Sequence, residues 1–180
     1  MTAKIFIETD RLVLRDWISS DQALYIDMNQ DESVMEFFPS VVTAEQSLTH
    51  IERIRELING AGYGLFAVER KEDNAFIGFT GFSHPRFKAT FTPCVEIGWR
   101  LASNYWNKGY ATEAAKACID FGFEKMQWKD IYSFTSVLNT RSENVMKKIG
   151  MQKEGEFDHP LLDDSDPLQK HVLYKISQTR

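Results

Sequence analysis

Val95-Glu96-Ile97-Gly98-Trp99-Arg100-Leu101, followed by Asn107-Lys108-Gly109-Tyr110-Ala111-Thr112-Glu113-Ala114, is the stretch that decides the fold. Its first half alternates, which predicts a strand over Cys94–Leu101. Val95, Ile97, Trp99 and Leu101 fall on one face of that strand, and Glu96, Gly98 and Arg100 on the other. Its second half opens a helix that runs from Gly109 to about Lys125. Ala111, Ala114, Ala115, Cys118 and Gly122 form a stripe of small residues along it. Such a stripe lets a helix lie close to a sheet, so Cys118 reads as core rather than as a reactive thiol. The first amides of a helix lack internal partners and sit at the positive end of its dipole. A strand, a short turn and a helix opening at glycine therefore make a ready anion site.

Before this stretch, Lys4 to Trp17 is extended in character and reads as one strand. Ser19-x-x-Gln22 reads as a capping box that opens a helix to about Met28. Thr43-x-x-Gln46 is a second box, whose helix carries Leu48, Ile51, Ile54 and Ile58 and stops at Gly60. Gly60-Ala61-Gly62-Tyr63-Gly64 follows a helix and precedes a strand, the reverse of a dinucleotide fingerprint, so it reads as a cap or hinge. Leu65–Arg70 and Phe76–Phe82 form a hairpin around Lys71–Asn74. After the decisive stretch, Ile131–Val137 is a strand and Thr140-x-x-Glu143 a third capping box, whose helix closes at Gly150. Gln152–Asp158 and Gln169–Ser177 are the last strands. The fold class is α/β: a mixed, mostly antiparallel sheet flanked by helices. The piece from Cys94 to Val137 supplies two parallel strands joined by a crossover.

The 180 residues fit one domain, and 43% are apolar. Lys and Arg number 21 against 26 Asp and Glu, a net charge of −5, which disfavours general nucleic-acid binding. An acidic chain suits a cationic substrate such as an amine. Two cysteines far apart, Cys94 and Cys118, argue against disulfides or structural zinc and for a reducing, cytoplasmic setting. No export signal is legible in Met1-Thr2-Ala3-Lys4-Ile5, and no run is long and apolar enough to span a membrane. The four histidines lack metal spacing, so no metal is expected.

The whole string resembles the acyl-CoA-binding motif of the GNAT superfamily of N-acetyltransferases, in which Q/R-x-x-G-x-G/A opens the helix after the fourth strand. Here the window is Trp106-Asn107-Lys108-Gly109-Tyr110-Ala111, with Trp106 in place of the Gln or Arg. E-I-G-[YW]-x-L followed by Y-W-x-K-G-Y-A-T-E-A is similar to the RimJ/RimL branch, the ribosomal-protein N-terminal acetyltransferases. So are Glu8-Thr9-Asp10-Arg11-Leu12-x-Leu14-Arg15 and Asn139-Thr140-Arg141-Ser142 continuing to Lys148-Ile149-Gly150-Met151.

That resemblance implies one N-acetyltransferase domain over residues 1–180, with acetyl-CoA as cosubstrate and no metal. It implies a splayed parallel strand pair at the cofactor site. The pyrophosphate would lie on the amides of Asn107, Lys108, Gly109, Tyr110, Ala111 and Thr112. The pantetheine arm would pair with the Trp99, Arg100 and Leu101 edge, and Asn139 and Asn144 would reach it. Glu96 is the candidate general base, Glu113 its competitor, and Ser142 the candidate partner of the leaving thiol. Phe37, Phe38 and His159 are expected on the acceptor side, with His171 and the loop of Asp163, Asp164 and Asp166 nearby. The acceptor is a primary amine, on a protein N-terminus or on a small molecule, with no nucleic acid or membrane involved and the chain a monomer or homodimer. A non-catalytic acetyl-CoA sensor stays open as the other reading.

Overall fold

A computed structural model describes residues 3–178; Met1 and Thr2, part of the stretch read for an export signal, lie outside them. The chain runs β1 (Ile5–Glu8), β2 (Leu12–Arg15), α1 (Asp21–Gln30), α2 (Glu32–Met35), α3 (Ala44–Ala61), β3 (Leu65–Arg70), β4 (Ala75–Ser83) and β5 (Glu96–Leu101). It continues through α4 (Tyr110–Glu124), β6 (Asp130–Ser136), α5 (Thr140–Lys148), β7 (Gln152–Asp158) and β8 (Lys170–Ser177). One eight-stranded sheet results, in the order β1-β2-β3-β4-β5-β6-β8-β7. Every neighbouring pair is antiparallel except β5 with β6. The expected α/β class, with its mostly antiparallel sheet and one parallel pair, is the fold found.

Two layers of helix cover the sheet. Tyr25 of α1 packs edge-on against Phe79, and α1 also contacts α3, so these helices lie on the Phe79 face. On the opposite face, α4 packs against β4 and β5. Its stripe does what small residues permit. Ala114, Ala115 and Cys118 are fully buried, and a Cβ on Gly122 would come within 2.9 Å of Ile131 and 3.1 Å of Trp128. Burial pushes the Cys118 thiol far above its ordinary range, which keeps it inert.

Several local readings change. Lys4–Trp17 is a hairpin, not one strand: Thr9 breaks it, its hydroxyl accepting from the Leu12 amide at 3.0 Å. A polar turn of the same alternating composition hides such a break in sequence. The Ser19–Gln22 box does not form. Ser20 is the cap residue and makes no side-chain bond, because the Asp21 carboxylate takes the Ile18 amide at 2.9 Å instead. The Thr43–Gln46 box forms in both directions, at 3.2 and 3.0 Å. Its helix ends at Gly62, whose φ of +77° suits the left-handed cap, rather than at Gly60. Asn139, not Thr140, caps α5 by accepting from the Ser142 amide at 3.1 Å, while Glu143 is taken by the Tyr174 hydroxyl at 2.8 Å. The strand expected from Cys94 begins at Glu96.

Arg15, at 4% exposure, ties β2 to α1 and β3. It donates to both Asp21 oxygens at 2.7 and 2.9 Å and to Glu69 at 2.7 Å. Removing Asp21 leaves Arg15 paired with Glu69 but takes the buried partner from Nη2 and from the Ile18 amide. Asp21→Ala should therefore cost about 3 kcal/mol, read as a lowered urea midpoint at unchanged slope.

Candidate active site

Strands β5 and β6 share one residue pair, Glu96 with Tyr132, and then part. Ser133, at 2% exposure, covers the last carbonyl beyond that pair, its hydroxyl donating to Ile97 O at 2.9 Å. Peptide groups alternate in direction along a strand. Those of Gly98 and Arg100 face β4, and those of Trp99 and Leu101 face the gap. The Trp106 indole fills one of these, donating to Leu101 O at 2.8 Å. The Trp99 N–H and C=O stay open. Trp106, the departure from the resembled motif, thus closes the end of the slot, and the Arg141 guanidinium lies 4.4 Å from its ring.

A cavity of about 710 Å³ occupies this gap and spreads onto the Phe79 face. At one end lies the α4 N-terminus. Gly109 caps it at φ +81° without a side-chain bond, and the first intrahelical bond runs from Glu113 N to Gly109 O. The amides of Tyr110, Ala111 and Thr112 are accordingly free of helical partners, with Arg141 and Lys148 also lining the cavity. Three amides at a dipole's positive end, two cations and an open strand edge fit a pyrophosphate carried on an amide-containing arm.

Most residues expected from sequence converge here. Trp99, Arg100, Leu101, Asn107 and Gly109 line the cavity, as do Tyr110, Ala111, Thr112, Asn139 and Asn144. Lys108 does not: it is exposed, its carbonyl accepts from Arg11 at 3.0 Å, and its ammonium sits 5.6 Å from the Tyr105 ring. Asn139 is committed to α5 and to Thr135, donating to the latter's hydroxyl at 3.1 Å. The Ser142 hydroxyl lines the cavity and makes no hydrogen bond among the described residues.

Glu96 also lines it, beside the point where the strands part. Protein surrounds the carboxyl on most sides while the cavity leaves it a path to water. Burial pushes its pKa up to about 7, against a single opposing hydrogen bond from Ser83 at 3.1 Å. Glu113 lies elsewhere, outside the cavity. Although its burial acts in the other direction, bonds from Thr9 (2.6 Å) and from Arg11 (2.7 and 3.0 Å) hold its carboxyl below the usual range. Glu113 is a strut between the β1–β2 turn and α4.

Phe37, Phe38 and His159 line the far side with His171, the two imidazoles 4.8 Å apart. Burial lowers the pKa of both, and His171 lowers that of His159 further. The aspartate loop is different. Leu162 reaches the cavity, but Asp163, Asp164 and Asp166 do not. Asp164 accepts from Gln169 at 2.9 Å and Asp166 from the Leu168 amide at 2.8 Å, so they shape a turn. Sequence reading missed His50, Phe79 and Phe134, which also line the cavity, and it used only the backbone of Arg100. The parity of Arg100 with Glu96 was the available signal for its side chain.

A family model described as "Acetyltransferase (GNAT) domain" matches residues 11–152. An uncharacterized N-acetyltransferase of Bacillus subtilis, YnaD, is 34% identical over 152 residues, which cover 84% of this chain and 85% of that protein. A GNAT-family acetyltransferase structure from Bacillus anthracis superposes with a TM-score of 0.78 at 30% identity, covering 96% of this chain and 98% of that one. RimL, a ribosomal L7/L12 α-N-protein acetyltransferase solved with coenzyme A, shares the fold at TM-score 0.78 and 16% identity, covering 97% and 98%. The chain belongs to the GNAT acetyltransferase family. It is an acetyl-CoA-dependent acetyltransferase.

The slot makes a direct prediction. Gly109→Glu puts a side chain in the left-handed region, its Cβ 3.4 Å from the Arg11 guanidinium, and adds a negative charge beside the three open amides. Acetyl-CoA at about 100 times its wild-type Kd should stabilise wild type by about 2.7 kcal/mol, read as a rise in Tm, and this variant scarcely at all. Gly109→Ala carries the backbone strain without the charge and should keep most of the shift.

Proposed function

We propose that the chain transfers the acetyl group of acetyl-CoA to a primary amine by direct attack within a ternary complex, with Glu96 as general base. The observation that carries this is a carboxyl with a pKa raised to about 7, lining the cavity where β5 and β6 part. A base poised near the working pH is the kind that abstracts a proton efficiently.

Acetyl-CoA supplies the activated acyl carbon. Tyr110, Ala111 and Thr112 amides hold its pyrophosphate, and the open Trp99 edge takes the pantetheine arm, with Asn139 and Asn144 alongside. Glu96, directly or through water, takes one proton from the acceptor ammonium. As the new N–C bond forms and the C–S bond breaks, the Trp99 N–H donates to the carbonyl oxygen, where negative charge develops. The second proton of the attacking nitrogen passes through water to the departing sulfur, which the free Ser142 hydroxyl hydrogen-bonds, so a neutral amide and the CoA thiol leave and Glu96 returns its proton to water.

The motifs resembling the RimJ/RimL branch favour a protein N-terminal amine as acceptor. The alternative small-molecule amine is supported by the size of the cavity, about 710 Å³. Residues 1–180 then act as one N-acetyltransferase domain. Two free thiols, Cys94 and Cys118, suit a reducing cytoplasm. A sensor that only binds acetyl-CoA would leave Glu96 without work. Thiol release from acetyl-CoA across N-terminal peptides and small amines separates these readings.

Glu96 must be ionised to accept a proton, so kcat/KM should climb as pH rises through about 7. Glu96→Gln should keep acetyl-CoA affinity, lower turnover about 100-fold and lose that limb of the profile. Unchanged turnover at neutral pH would move the base elsewhere.

A further inference from the structure

Two arginines set into the fold are treated very differently: Arg15 is buried, and Arg100 is half-buried and opens onto the cavity. Arg15 meets two carboxylates, Asp21 and Glu69. Arg100, in the middle of the sheet, meets none among the described residues. One nitrogen, Nη1, donates to the Asn29 carbonyl oxygen at 2.7 Å. Its Nε is buried without a partner, and Nη2 makes no hydrogen bond among the described residues. The guanidinium carbon sits over Phe38, 4.1 Å from that ring's centre, with Phe79 at 5.4 Å. Its neighbours do not compensate the charge. His50 is kept neutral, its pKa pushed to about 4 by burial and then by Arg100 and Arg53, and Tyr25 is raised by burial.

A cation with a buried, unpartnered nitrogen and no carboxylate beside it is costly to keep at a cavity wall unless a ligand supplies the counter-charge. Its Nη2, which has no partner among the described residues, is the donor left for an oxygen of a carboxylate or phosphate, while the buried Nε cannot be reached. Arg100 lines the cavity on the face that carries Glu96, four residues along the same strand, a rise of roughly 13 Å along the backbone. Glu96 is the one carboxylate among the cavity-lining residues. The acidic loop that would suit a polycation is turned away from it. The acceptor end therefore holds one base and one uncompensated cation, which is the inverse of a polyamine site.

We propose that the acceptor is an amine that also bears an oxyanion, and that the Arg100 guanidinium, clamped by Asn29 and Phe38, receives that oxyanion while the amine reaches Glu96. This rests on the acetyltransferase reading above and narrows its substrate class. The separation along β5 requires amine and anion to stand several bonds apart, as in an ω-amino acid or a short peptide with an acidic side chain. Arg100 acts here through its side chain, whereas the cofactor edge uses the backbone beside it.

The test uses the full chain and matched probes: 6-aminohexanoate against hexylamine, 6-aminohexyl phosphate against 6-aminohexanol, and spermidine. Thiol release from acetyl-CoA and the Tm of the CoA-saturated protein are measured for each. Wild type should show a KM about 10- to 100-fold lower for the anionic member of a pair, the range of a charge-assisted hydrogen-bonded contact. The pair that shows it identifies carboxylate or phosphate as the anion. Arg100→Gln should abolish the preference and leave the acetyl-CoA-induced rise in Tm in place, and Arg100→Lys should restore part of it. Because no carboxylate is stranded, Arg100→Gln should not lower Tm as Asp21→Ala does. Equal KM values within the pairs, a preference for spermidine, or a preference that survives Arg100→Gln would overturn the inference. So would a collapse of Tm in Arg100→Gln, which would make the side chain structural. If no probe releases thiol, the acetyltransferase reading fails for these amines. The Tm arm still decides the present one: stabilisation by the anionic members alone supports it, and none overturns it.

Discussion

Strands β5 and β6 hydrogen-bond at one residue pair and then separate, and the rest of the molecule is arranged around that parting. A sheet interior has no reason to leave backbone groups unpaired, since each buried orphan costs free energy. Here the chain closes two of the exposed groups with side chains, Ser133 on Ile97 O and Trp106 on Leu101 O, and leaves Trp99 between them. The small-residue stripe of α4 holds one face tight, and α1 with α3 covers the other. The gap stays open because β6 pairs fully with β8 on its far side and β5 with β4 on its own. An opening built this way presents strand edges and helix amides to the same ligand.

The electrostatics follow from the same burial. A carboxyl and a guanidinium share one face of β5 inside the cavity and do not neutralise each other. Glu96 responds by holding its proton to higher pH, with only Ser83 opposing. Burial lowers the pKa of Arg100, yet the guanidinium keeps its charge and leans on two aromatic rings and one amide. Elsewhere the protein pairs its buried charges, as Arg15 shows with Asp21 and Glu69. Membership of the GNAT family accounts for the slot.

Much of this was legible beforehand because alternation and capping are local. The parity of Val95 to Leu101 placed Glu96 and Arg100 together, and Gly109 marked the helix opening. What was not legible depended on contacts distant in sequence. The β1–β2 turn is fixed by Thr9 and by Glu113, 104 residues away. The Ser19–Gln22 box lost to Asp21 because Arg15 positions that carboxylate. Asn139 displaced Thr140 as cap. Asp163, Asp164 and Asp166 read as lying beside the acceptor, yet none lines the cavity, and the carboxylates of Asp164 and Asp166 are spent on Gln169 and on the Leu168 amide. Lys108, inside the matched motif, points away because Arg11 fixes its carbonyl.

The open Trp99 peptide is the central claim, and amide hydrogen exchange at that residue tests it most directly. In the free protein the Trp99 N–H should exchange much faster than the Gly98 and Arg100 amides, which pair with β4. Saturating acetyl-CoA should slow Trp99 more than either neighbour. A Trp99 amide already protected without ligand, or one unmoved when acetyl-CoA is bound, would contradict the account.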